Sequence, residues 1–266
     1  MSAMSERSLT SLRQETLVVA CLRSFMRCYM AGAGFNTRGM QNIGLVYAMQ
    51  PGLAAIHTEP KQYRAALKRY VRHFQSHPFW MPCLVGIYLN VEKSIAAGRF
   101  PSVMLSKVKD TTAYSLSAIG DSVFAGSLLI FWALLTICLL LTGHTAAPLV
   151  LGICFFTGLQ AFRGYTFVCG LRQGFRFLER LKRWDLINWG RRIKYLNAGL
   201  LLWLWAIIWP RPLDLWEWLA GTAALMLFAR FVRTGVLSRV LAAAFFVVGI
   251  ELFPTVEQLV REFLSL

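Results

Sequence analysis

The sequence predicts an all-α integral membrane protein, with amphipathic and re-entrant N-terminal helices followed by about five hydrophobic spans. Three observations carry that prediction. Of 266 residues, 56% are hydrophobic and the mean hydropathy is +0.51, too apolar for an ordinary soluble domain of this size. Residues 122–142 (SVFAGSLLIFWALLTICLLLT) carry no charge. A run of that length crosses a hydrocarbon layer of about 30 Å as a helix, which satisfies its own backbone in lipid. The chain also holds 28 Lys and Arg against 13 Asp and Glu, a net charge of +15, and much of that charge falls between apolar runs. In such a chain the basic excess belongs to cytoplasmic loops, and no nucleic-acid partner is inferred from it.

Residues 1–110 read as a cytoplasmic-side region of amphipathic and re-entrant helices. QETLVVACLRSFMRCYM (14–30) puts Leu17, Cys21, Phe25 and Cys28 near one helical face, with Arg23 and Arg27 off it. KQYRAALKRYVR (61–72) is a second helix, strongly basic. Both suit anionic lipids at a basic inner face. HPFWMPCLVGIYLN (77–90) is apolar but short, which suits a buried or re-entrant segment better than a full span.

Residues 111–254 read as the transmembrane region, and 255–266 as a short C-terminal tail. The first span is 122–142, too far from the N-terminus to be a signal peptide. The loop LTGHTAAP has no Lys or Arg, and a second span follows at about 146–162. Residues 163–194 hold nine Lys and Arg against Glu179 and Asp185, which predicts a cytoplasmic loop. Further spans are expected at about 195–210, 215–229 and 240–253, with Arg230, Arg233 and Arg239 in the basic turn before the last. This alternation puts the N-terminus in the cytoplasm and the C-terminus outside. Trp203, Trp205, Trp209, Trp216 and Trp218 gather near the outer turn, where an aromatic belt is expected.

The six cysteines form no CxxC pair, and the four histidines show no HExxH pattern. Neither a metal site nor a disulfide framework is expected, and most of the cysteines read as small buried hydrophobes. No P-loop and no pair of catalytic carboxylates appears, so no cofactor and no catalytic residue is assigned.

Three separated motifs resemble one family. They are RGMQNIGLVYAMQP (38–51), HFQSHPFWMPCLVGIYLNVE (73–92) and SAIGDSVFAGSL (117–128). In order and spacing they are similar to the IID component of mannose/fructose/sorbose-type phosphotransferase permeases, and FRGYTFVCGLRQGF (162–175) adds a weaker match. The resemblance covers roughly residues 15–195. It implies a multi-pass subunit of a bacterial inner membrane. That subunit works with a IIC partner, as a trimer of heterodimers, to move a hexose inward, and separate IIA and IIB units phosphorylate the sugar. The chain departs from the family pattern at Tyr114-Ser115, Ala125, Leu129-Ile130 and Gln75. Those departures support a second reading, a non-transporting IID-like scaffold or regulatory membrane protein.

Four residues are candidates for binding the sugar. By resemblance, Gln41 and Asn42 line the translocation region, where their amides bond sugar hydroxyls. The alternative is a buried amide bonding a helix end or a neighbouring helix. His77 precedes Pro78 and so marks a helix break, and its imidazole either bonds sugar or caps the next segment. Asp121 is read as a first-turn cap at the inner end of the first span, or as an intramembrane acid on the pathway. Glu92 is expected at a solvated helix end, and Arg163 at the lipid phosphate layer by snorkelling. Gly120, Gly126, Gly152, Gly158, Gly164 and Gly170 are expected to permit close helix packing.

Overall fold

A computed structural model describes residues 17–209 and 214–244. The first three residues of the expected N-terminal helix, the end of the third span at residue 210, most of the last span and the tail at 255–266 lie outside the described residues. Among the described residues, regular structure is helical, with only two isolated bridges, Asn36–Met40 and Met40–Phe74. The chain divides into two compact units between Leu204 and Trp205.

In the first unit the helices are α1 (Leu17–Arg27), α2 (Asn42–Ile56), α3 (Pro60–Lys68), α4 (Met81–Ala96), α5 (Ser102–Gly120), α6 (Ile130–Leu141), α7 (Ala146–Gln173), α8 (Arg176–Lys182) and α9 (Leu186–Ile207), which runs past the unit boundary. A 3₁₀ turn (Cys28–Gly34) follows α1, and a π-helical stretch (Asp121–Leu129) joins α5 to α6.

The core is built on α4. Every residue from Met81 to Leu89 is buried, as are Val91 and Glu92. A helix apolar on all sides belongs inside a fold, and this one packs on α7, α2 and α5. The α4–α7 crossing is set by glycines. A Cβ on Gly86 would lie 2.4 Å from the Phe167 carbonyl oxygen, and one on Gly170 would lie 2.7 Å from that of Cys83. The end of α7 is also tied to α4, because Asn90 donates from Nδ2 to the Leu171 carbonyl at 2.8 Å.

Pro51 lies inside α2 and has no N–H to offer the Tyr47 carbonyl. Residues of α1 repair the break. Arg27 donates from Nη1 to that carbonyl at 3.2 Å and to Gln50 Oε1 at 3.2 Å, and Gly52 N–H donates to Ser24 Oγ at 3.1 Å. The buried face of α1 is Ala20, Cys21 and Ser24, while Val18, Leu22 and Met26 are exposed. The outer face thus carries these apolar side chains beside the exposed Arg23.

Three helical stretches are long and apolar enough to cross a membrane: Ser102–Leu141, Ala146–Gln173 and Leu215–Val232. The first is one continuous helix of 40 residues through α5, the π stretch and α6, about 60 Å long. It passes residue 110 without a break. The second runs on from the expected end at 162, so the basic stretch 163–194 is not a loop. It contains the last part of α7, all of α8 and the start of α9. Its basic side chains fall on faces of short helical pieces, which a charge count reads as loop.

The second unit contains α10 (Leu215–Val232), and residues 236–244 are helical. Asp214 caps α10, accepting from Trp216 N–H at 2.8 Å and from Glu217 N–H at 3.4 Å. Trp205 and Trp209 meet edge-to-face at 5.1 Å, and Trp209 lies against Gly221.

Candidate functional site

The first two sequence motifs meet through their loops, and the third meets the second along its helix. Residues 36–40 form a closed turn: Asn36 and Met40 exchange backbone hydrogen bonds at 2.9 Å, and Asn36 Oδ1 accepts from Gly39 N–H at 2.8 Å. The turn leaves Met40 at φ 56°, a conformation that non-glycine residues seldom adopt. It pairs with the second motif, where Gln41 N–H donates to the Phe74 carbonyl at 2.9 Å and Phe74 N–H donates to Gly39 at 3.2 Å. Gln41 Oε1 then accepts from Ser76 N–H at 3.1 Å.

Asn42 is spent on this scaffold. Its Nδ2 donates to the Val71 carbonyl at 2.6 Å, and its Oδ1 accepts from Asn36 Nδ2 at 2.9 Å. Gln41 makes no second side-chain bond among the described residues, so its NH2 end keeps two free donors.

Ser76 leads into His77, which packs on the third motif. A Cβ on Gly120 would lie 2.4 Å from His77 Cβ, so only glycine lets the helix approach. The His77 ring stacks on Phe124 with centroids 5.4 Å apart. Its Nδ1 accepts from Phe79 N–H at 3.3 Å, which puts the ring proton on Nε2 and makes that atom a donor. Partial burial lowers the His77 pKa from its ordinary value, and the negative charge of Asp121 opposes that shift. Phe79, Trp80, Phe124 and Phe162 form an aromatic cluster with centroids 5.0–5.6 Å apart, which holds these groups in place.

Asp121 is exposed and stands in mid-helix. It caps nothing, because the helix begins at Ser102, nineteen residues earlier. It opens the π stretch, in which Ser127 Oγ donates back five residues to the Ser122 carbonyl at 2.7 Å. Asn197 Nδ2 of α9 donates to the Ser127 carbonyl at 3.0 Å. Helices widened in this way often occur at functional sites. Contacts therefore join Gln41 to Ser76, beside His77, and His77 to Gly120, beside Asp121, and leave Asn42 inside the turn.

Two charged residues differ from expectation. Glu92 is not at a solvated end but fully buried. It accepts from Arg69 Nε at 3.0 Å, Arg69 Nη2 at 2.5 Å and Tyr70 OH at 2.9 Å, and His57 Nε2 lies 2.8 Å away. A carboxylate only accepts, so His57 carries its proton on Nε2. Burial alone would raise the Glu92 pKa, but these donors outweigh it and hold the group below the ordinary carboxylate value. Arg163 does not snorkel either. Its side chain is 8% exposed, with the guanidinium 3.7 Å above the Tyr29 ring and 5.8 Å from that of Phe79. The sequence signal for both was a charge at the end of an apolar run, which alone cannot say whether the charge faces in or out. Of the glycines named from sequence, Gly120 and Gly170 make close packing contacts, whereas Gly158 and Gly164 face open space.

Residues 18–192 match the family model described as the phosphotransferase-system mannose/fructose/sorbose family IID component. The chain is 28% identical over 177 residues to the fructose permease IID component of Bacillus subtilis (strain 168), covering 66% of this chain and 62% of that one. It is 25% identical over 152 residues to the mannose-specific EIID component of Escherichia coli (strain K12), covering 56% and 54%. It is 25% identical over 151 residues to the sorbose-specific EIID component of Klebsiella pneumoniae, covering 56% and 55%. The match thus spans less than two thirds of these relatives. Among solved structures, one described as a membrane protein superposes with a TM-score of 0.68 at 20% identity, covering 89% of this chain and 96% of that one. The mannose transporter ManYZ in complex with microcin E492 gives 0.55 at 20% identity, covering 91% and 98%. Both likenesses show the fold alone.

Proposed function

Because the chain belongs to the IID components of mannose/fructose/sorbose phosphotransferase systems, we propose that it is the IID-type membrane subunit of a sugar permease. It acts with a IIC-type partner to pass a hexose inward across a bacterial inner membrane, and separate IIA and IIB units phosphorylate the sugar. The observation that carries this reading is the convergence of three family motifs on one place, through the Gln41–Ser76 bond and the His77–Gly120 contact. The groups there suit a polyol. Gln41 offers amide donors, His77 offers Nε2–H, and Asp121 offers a charged acceptor. Substrate passes by movement of one helical bundle against the other. Asn42 supports the turn that presents Gln41.

The departures from the family pattern leave these contacts in place, which favours the permease over a non-transporting scaffold. Tyr114, for example, stacks on His73 at 6.1 Å. The exposed Lys61, Arg64 and Lys68 of α3 are assigned to an anionic inner leaflet, with the N-terminus cytoplasmic and the C-terminus outside. The assembly is taken as a trimer of heterodimers. Reconstitution with a IIC-type partner and phosphorylated IIA and IIB units tests the reading. Sugar-dependent phosphoryl transfer in vesicles is expected. A chain that purifies as a stable oligomer by itself and binds no sugar would overturn it.

A further inference from the structure

Arg163 is a buried cation for which no described residue supplies a counter-ion. Its Nε is buried with no hydrogen-bond partner. The ion pairs formed among the described residues use Glu92 and Asp110, and none reaches Arg163. Its neighbours are the Tyr29 and Phe79 rings. Aromatic faces offset only part of the cost of taking a guanidinium from water, and an arginine in a membrane-spanning helix is nearly always paired. The group is also fixed in direction, because Tyr29 OH donates to Gln160 Oε1 at 2.6 Å and holds the ring beneath it.

Beside Tyr29 runs an apolar row. Val18, Leu22 and Met26 of α1 recur at a spacing of four, with exposures of 78%, 59% and 59%, and Met30 follows in the 3₁₀ turn at 58%. Rows at that spacing are the ridges against which a second helix packs. We propose that this row and Arg163 form a docking surface for a membrane helix of the IIC-type partner, and that this helix sets an Asp or Glu carboxylate on the Arg163 guanidinium. The inference rests on the proposed function. A planar, pre-set fork suits a carboxylate held in one place by a partner fold. A lipid phosphate fits less well, because α7 continues ten residues past Arg163 to Gln173, about 15 Å, whereas snorkelling cations sit at helix ends.

The test is co-purification of the full chain with its IIC-type partner in mild detergent. Arg163→Gln is expected to lower the recovered partner by about tenfold or more, and Arg163→Lys by less, because it keeps the charge but not the planar fork. Neutralising the membrane acids of the partner one at a time should identify one whose loss has the same effect while Arg163 is intact, so a folding defect in the Arg163 variants cannot mimic the result. Partner recovery unchanged in Arg163→Gln, or no such acid, would overturn the inference and leave the permease reading standing. Failure of the unaltered chain to bind a IIC-type protein would overturn both. In nanodiscs holding the chain alone, an increase in Tm by phosphatidylglycerol over phosphatidylcholine that Arg163→Gln abolishes would assign the guanidinium to lipid phosphate and reject the partner carboxylate.

Discussion

Glu92 is the residue where burial and charge are most closely balanced. It is fully buried and takes bonds from Arg69, Tyr70 and His57. Removing one partner of a buried ion pair leaves an uncompensated charge, at a cost of about 3–5 kcal/mol. Glu92→Gln, which strands the Arg69 guanidinium, should destabilise the first unit by about that much, as measured by thermal or denaturant unfolding in detergent. The sign with pH follows from its lowered pKa. The contribution is complete above the unfolded-state carboxylate value and is lost as pH falls through the lower folded-state value. Acid should therefore unfold the unaltered chain over a range where Glu92→Gln shows a flatter response. Asp121 gives the opposite expectation. It is exposed in mid-helix and caps nothing, so Asp121→Asn should leave assembly intact. Uptake below saturation should fall by about tenfold to a hundredfold, the worth of a charge-assisted hydrogen bond. Loss of assembly instead would return Asp121 to a structural role. The two acids look alike in the sequence, each at one end of an apolar run, and only the donors brought by the segments after α2 and after α3 separate them.

At the scale of elements, α4 was legible in part. Its short apolar stretch pointed to a buried or re-entrant segment, and Met81–Leu89 of α4 is buried on all sides. Its partner was not legible, because the α4–α7 crossing depends on Gly86 and Gly170, about eighty residues apart, each meeting backbone of the other helix. Gly86→Ala should cost about 1–3 kcal/mol by overpacking, visible as a lower Tm, since the atom it meets is backbone and cannot rotate aside. Gly164→Ala meets nothing within 4 Å and should leave Tm nearly unchanged. The Pro51 break in α2 follows the same logic. Proline predicts a free carbonyl at Tyr47, and only the packed structure supplies Arg27 to satisfy it. Arg27→Ala should destabilise the α1–α2 pair by about 0.5–1.5 kcal/mol, the usual net worth of a hydrogen bond whose exposed acceptor can turn to water, visible as a lower Tm.

At the scale of the molecule, the permease reading makes the chain half of a transport unit. Uptake should appear only when a IIC-type partner is co-expressed, and native mass spectrometry should find three copies of each. The sequence by itself determined the class: long uncharged runs can only be helices in lipid, because no other open-ended structure satisfies its backbone there. It also determined the family, through three motifs in order. Only the tertiary structure decided which polar groups those motifs consume and which they leave with spare donors. Gln41 and Asn42 are neighbours and both half-buried, yet beside a turn with Met40 at positive φ the Asn42 amide bonds through both ends while Gln41 bonds through its oxygen alone among the described residues. The same holds for Arg163, whose side chain turns inward onto Tyr29. Hydropathy and charge count along the chain, whereas burial and hydrogen bonding depend on what distant segments bring into contact.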